Sequence, residues 1–221
     1  MIYAILIVAV LIGIIVAQFL KKNPKITKSL LIFSGAYLLC VTLLHNFPLL
    51  YQKGGKIVWI FIVIGILVQM ILESFSKGVE HGHIHHNEKL SFPIIIGLML
   101  HAFLEGMPLG ESHEHGNIVI AIAIHKIPVA AILYFYLSTS FNDIKKVYIA
   151  MALFAFITPL GTFISHYTVL SDYSYYTLAL VSGVFLYIST TILFENSHTA
   201  HHFSWQKLIM ILFSIVLILL T

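Results

Sequence analysis

The chain has 221 residues, of which 59% are hydrophobic and only 10% charged, and its mean hydropathy is +0.97. Soluble domains carry about 25% charged residues, so this composition excludes a soluble protein and leaves an all-α integral membrane protein. The net charge of +3 comes from lysine alone, since the chain has no arginine, and lysines gathered at the ends of apolar runs imply no nucleic acid partner.

Eight apolar segments of roughly bilayer-spanning length follow one another at 1–20, 29–49, 57–77, 91–111, 117–138, 145–167, 174–194 and 204–220. They leave no room for a second domain, so residues 1–221 are expected to form one polytopic membrane domain. The first segment has no basic residue before its apolar run and reads as a retained helix rather than a signal peptide. The second carries the lone Cys40, which reads as a small buried hydrophobe and excludes an internal disulfide.

The loops after the third and seventh segments are rich in histidine: His81, His83, His85 and His86 in one, and Glu195, His198, His201 and His202 in the other. The turn between the fourth and fifth segments adds Glu111, His113, Glu114 and His115. Such tracts suggest metal contact on composition alone. A solvated loop that merely tolerates histidine is the competing reading. Lysine placement gives an orientation. With the N-terminus outside, nine lysines face the cytoplasm and only Lys53 and Lys56 face out. Both termini are therefore expected to be extracytoplasmic.

The fourth and fifth segments hold ionisable groups at mid-membrane depth, where they are costly and usually functional. His101 and Glu105 lie one helical turn apart on one face. His125 and Lys126 lie near the middle of the returning helix. A short turn makes the two helices expected neighbours, so His101, Glu105 and His125 can converge on one divalent ion. His/Glu/His suits zinc, and also iron, manganese, cobalt or cadmium. A single such histidine would more simply be a hydrogen-bonded structural residue, but three ligand types at matched depth favour the ion.

Proline inside a helix removes one backbone hydrogen bond. Pro108 is expected to free the carbonyl of Leu104, and Pro128 that of Ile124, so both helices should kink beside the site. Gly106 and Gly110 permit close helix approach. A weak internal repeat matches Ser34–Leu38 in the second segment with Ser182–Leu186 in the seventh. These helices run in opposite directions, as in transporters built from inverted repeats. Chance likeness between apolar helices competes with the repeat.

At these residues the chain resembles the ZIP family of divalent-metal transporters. His101-Ala102-Phe103-Leu104-Glu105-Gly106 is similar to the family's His-Asn-x-x-Glu/Asp-Gly motif. His125-Lys126-Ile127-Pro128 is similar to its His-Glu-x-Pro-His-Glu motif and to a His-Lys variant. The segment His45-Asn46-Phe47-Pro48 and the stretch from Gly183 through Tyr187 to Glu195 also resemble it. The resemblance implies eight transmembrane helices in a 3+2+3 inverted-repeat architecture, and transport towards the cytoplasm by alternating access.

The departures are specific. Ala102 stands where the family's two-metal centre has Asn, Lys126 where it has an acid, and Val129 where it has a second ligand. Thr158 precedes Pro159-Leu160-Gly161 where an acid can stand. The primary position keeps His101, Glu105 and His125, and the secondary position has lost its ligands. Lys126 is accordingly expected to fill the space of the second metal and to pair with Glu105.

The resemblance also implies a path. The ion gathers near Glu111, His113, Glu114 and His115, binds at the midplane, and leaves past Glu195, His198 and the His81–His86 loop. It implies a multi-pass protein of the cell (inner) membrane, a homodimer, and no cofactor beyond the transported divalent metal. A second reading is an enzyme. His81-x-x-x-His85-His86 and His198-x-x-His201-His202 resemble the boxes of di-iron membrane desaturases and hydroxylases, but two boxes are few for such a shell. A membrane metal sensor or structural protein is a third.

Overall fold

The structure is a computed structural model that describes residues 1–20, 24–53, 55–76, 78, 92–110, 116–194 and 205–220. Among these residues every regular element is helical. In hydrocarbon each backbone N–H and C=O needs an internal partner, and long apolar helices supply it. In chain order they are α1 (Ile2–Leu20), α2 (Pro24–Val41), α3 (Phe47–Lys53), α4 (Val58–Ser76), α5 (Phe92–Gly106), α6 (Gly116–Ser140), α7 (Ile144–Tyr167), α8 (Ser174–Phe194) and α9 (Trp205–Leu219). Seven stretches are long and apolar enough to cross a membrane, and α9 is apolar but 15 residues long.

The expected second segment is longer than its sequence pattern. A π-helical turn, Thr42–Asn46, joins α2 to α3, so one span runs Ile26–Lys53. Pro48 explains the wide turn: its ring clashes with the carbonyl four residues back in a regular α-helix, and a π turn gives room. The Phe47 N–H accordingly donates to the Thr42 carbonyl.

Pro108 also acts differently from expectation. The α-helical ladder of α5 stops at Gly106, and Met107–Gly110 tightens into a 3-10 turn that contains Pro108. The proline thus lies past the α-helix rather than kinking its interior. Pro128 and Pro159 are both accommodated inside continuous helices, α6 and α7.

Small residues set the closest helix pairs. On α4, a Cβ at Gly65 would meet the Leu180 carbonyl of α8; at Gly183, it would meet that of Ile62. The pair Gly106 and Gly161 brings α5 and α7 together in the same reciprocal way. This is how membrane helices gain packing without a hydrophobic driving force. Large apolar side chains such as Ile60, Leu67, Ile149, Leu153 and Phe156 face outward, as lipid requires.

Helix directions follow from the partners. The α5–α7 pair is parallel: Thr158 donates to the Ala102 carbonyl (2.6 Å), Thr162 to that of Gly106 (2.9 Å), and His166 Nδ1 to that of Gly110. The offset is constant along this ladder, so the fourth and sixth spans run the same way. Between α2 and α8, Gly35 meets Ile192 while Asn46 donates to Ser182, which makes that pair antiparallel.

Candidate metal centre

Long side chains of α5 and α6 meet where both helices carry ionisable residues, while the helices themselves pack mainly on others. His101 and Glu105 stand one turn apart on α5, with His101 Nε2 3.1 Å from Glu105 Oε1. From α6, His125 Nε2 lies 3.9 Å from the same oxygen. Lys126 Nζ donates to the other oxygen, Glu105 Oε2, at 3.1 Å. All four side chains are at most 2% exposed. The ligand atoms of His101, Glu105 and His125 lie within 4.8 Å of one another.

An ion bound at about 2.1 Å in tetrahedral geometry holds its ligands about 3.4 Å apart. The spacings therefore straddle that value, and a shift of about 1 Å in the His125 ring closes the set. Three protein ligands leave one exchangeable position, the pattern of sites that handle metal rather than merely hold it.

The hydrogen bonds behind the histidines fix which nitrogen faces the centre. His101 Nδ1 lies 3.2 Å from Gln69 Oε1 on α4, and His125 Nδ1 lies 3.4 Å from Ser34 Oγ on α2. His101 Nε2, His125 Nε2 and Glu105 Oε1 are buried atoms without a hydrogen-bond partner. Burial of such groups without a partner costs about 1–3 kcal/mol each. A cation at their common point removes that cost, so the donor set fits a metal.

Lys126 does not reach towards the membrane surface. Its ammonium is held inside by Glu105 and lies 4.8 Å from the centroid of the Phe154 ring. An ammonium over an aromatic face gains up to about 2 kcal/mol when desolvated. Ala102 and Val129 are buried apolar residues. Thr158 is buried and gives its hydroxyl hydrogen to the Ala102 carbonyl.

The structure thus brings together His101, Glu105, His125 and Lys126. The expected entrance residues Glu111, His113, Glu114 and His115 lie outside the described residues. So do Glu195, His198, His81, His83, His85 and His86, and with them both histidine boxes of the enzyme reading. Gln69, Thr162 and Phe154 were not singled out from the sequence, and Ser34 only as part of the repeat. Gln69 carries a readable signal: it is a polar residue in the middle of the apolar run of α4.

Residues 80–220, well over half of the chain, match the family model described as ZIP zinc transporter. No curated protein matches the chain.

Proposed function

The chain belongs to the ZIP zinc transporter family, and from that premise we propose that it carries zinc, or a similar divalent ion, towards the cytoplasm through one intramembrane site formed by His101, Glu105 and His125. It is a multi-pass membrane protein of a family whose activity is metal transport. The observation that carries the proposal is the convergence of three buried ligand atoms, none of which has a hydrogen-bond partner.

The site holds one ion because Lys126 occupies the neighbouring position. An ammonium about 4 Å from a second dication repels it by roughly 8 kcal/mol at an effective dielectric near 20. Glu105 serves both charges, Oε1 for the metal and Oε2 for the ammonium. The ammonium also weakens the hold on the transported ion, which favours release.

The ion gathers at the outer turn, where Glu111, His113, Glu114 and His115 supply ligands. It leaves towards Glu195, His198 and the loop carrying His81, His83, His85 and His86. The architecture is one polytopic domain in a 3+2+3 inverted repeat with both termini extracytoplasmic, in the cell (inner) membrane. Exchanging the first span with the sixth, the second with the seventh, the third with the eighth and the fourth with the fifth supports the repeat. That exchange turns the α1–α6 neighbours into α7–α5, and the α4–α8 neighbours into α9–α2, all of which are in contact. Alternating access then follows from movement of these helix pairs past one another.

Uptake of zinc, cadmium, manganese, cobalt and iron into proteoliposomes tests the reading. Wild type is expected to accumulate zinc, and His101→Ala to accumulate none above empty liposomes. Equal uptake by both would overturn the assignment.

A further inference from the structure

We propose that Gln69 and Ser34 are positioning residues that lock both ligand histidines as the Nδ1–H tautomer, so that each Nε2 lone pair faces the metal. This deepens the proposed function, since it concerns the same site.

The argument is one of donors and acceptors. The Ser34 hydroxyl hydrogen is already given to the Leu31 carbonyl, 2.9 Å away. Its oxygen can therefore only accept at the His125 contact, and the hydrogen there must come from Nδ1. At His101 the atom facing Nδ1 is the amide oxygen of Gln69, which is an acceptor with no hydrogen to give. The hydrogen again belongs to Nδ1. A neutral imidazole carries one N–H, so both Nε2 atoms are left as acceptors. These are the two nitrogens that face Glu105 Oε1.

The two anchors are also rigid. Gln69 and Ser34 are fully buried. Gln69 lies one turn from Gly65, whose close approach to the Leu180 carbonyl seats α4 on α8. Ser34 is next to Gly35, which packs against Ile192 of the same helix. The ligands ride on α5 and α6, while the residues that orient them ride on α4 and α2, both packed on α8. A partner that fixes tautomer and ring orientation typically accounts for 10–100-fold in metal affinity.

Two measurements on the purified full chain test this. In metal-free protein with nitrogen-15 histidine, the resonances lost in His101→Asn and in His125→Asn identify the two rings. Both are expected as the Nδ1–H tautomer, with His101 shifting towards Nε2–H in Gln69→Leu and His125 in Ser34→Ala. In equilibrium binding with Cd²⁺, Gln69→Leu is expected to bind 10–100-fold more weakly than wild type. Gln69→Glu, which keeps an acceptor in place, is expected to restore both tautomer and binding. Unaltered tautomers in Gln69→Leu and Ser34→Ala, or equal loss in Gln69→Leu and Gln69→Glu, would overturn the inference. Absence of Cd²⁺ binding by wild type would overturn the metal site, while the tautomer measurement would still decide the roles of Gln69 and Ser34.

Discussion

Lys126 Nζ lies 3.1 Å from Glu105 Oε2 inside the membrane-spanning bundle, and neither side chain reaches water. One carboxylate thus faces an ammonium with one oxygen and two imidazole nitrogens with the other. The consequences of that division are measurable.

Replacing Lys126 with Met removes the ammonium and keeps the bulk. Cd²⁺ affinity should rise about tenfold or more, because a charge repelling the bound dication is gone. Turnover should fall as release slows. Equilibrium binding and uptake rate on the same preparation check both. An unchanged affinity would show that the ammonium is not felt at the metal position.

Glu105→Gln leaves the Lys126 charge buried without its partner. Breaking such a pair from one side costs about 3–5 kcal/mol. The melting temperature of Glu105→Gln should therefore drop well below wild type. The double variant Glu105→Gln/Lys126→Met should recover most of that loss. A double variant as unstable as the single one would mean that the pair does not carry this stability.

The α5–α7 pair is sensitive to volume. A side chain at Gly106 must push α5 away from the Thr158 carbonyl of α7. Overpacking of this kind costs about 1–3 kcal/mol. Gly106→Val should lower the melting temperature and abolish uptake. Gly116→Ala, where no described residue lies within 4 Å of the added carbon, should be neutral in both.

The spans were legible in the sequence because lipid admits little besides runs of about twenty apolar residues. His101, Glu105 and His125 were legible because ionisable groups stand out in such runs. Their convergence was legible from the helical repeat and matched depth, although α5 packs mainly on α4 and α7, and α6 mainly on α1 and α2, rather than on each other. The polar partners behind them were not. Gln69 is uncharged, and whether it meets His101 depends on how α4 seats against α5, which no local pattern records. The ladder of Thr158, Thr162 and His166 was hidden for the same reason, since it depends on the parallel alignment of two non-consecutive spans. The expected kink at Pro108 misjudged where α5 ends. The turn around Pro48 was missed because a π turn extends a helix through a residue that normally stops it.

Protons compete with metal for the histidine nitrogens. Lowering external pH until protons occupy the imidazole nitrogens should raise the zinc concentration needed for half-maximal uptake. Uptake kinetics at a series of pH values check this. A half-saturation constant that does not move would contradict a site with two histidine ligands.

The claim of a single metal between α5 and α6 is tested most directly by anomalous diffraction from zinc-soaked crystals. The account predicts one zinc peak at this centre, about 2.0–2.2 Å from His101 Nε2, His125 Nε2 and Glu105 Oε1, with Lys126 beside it. Two zinc peaks there, or zinc bound elsewhere and absent from these three atoms, would contradict it.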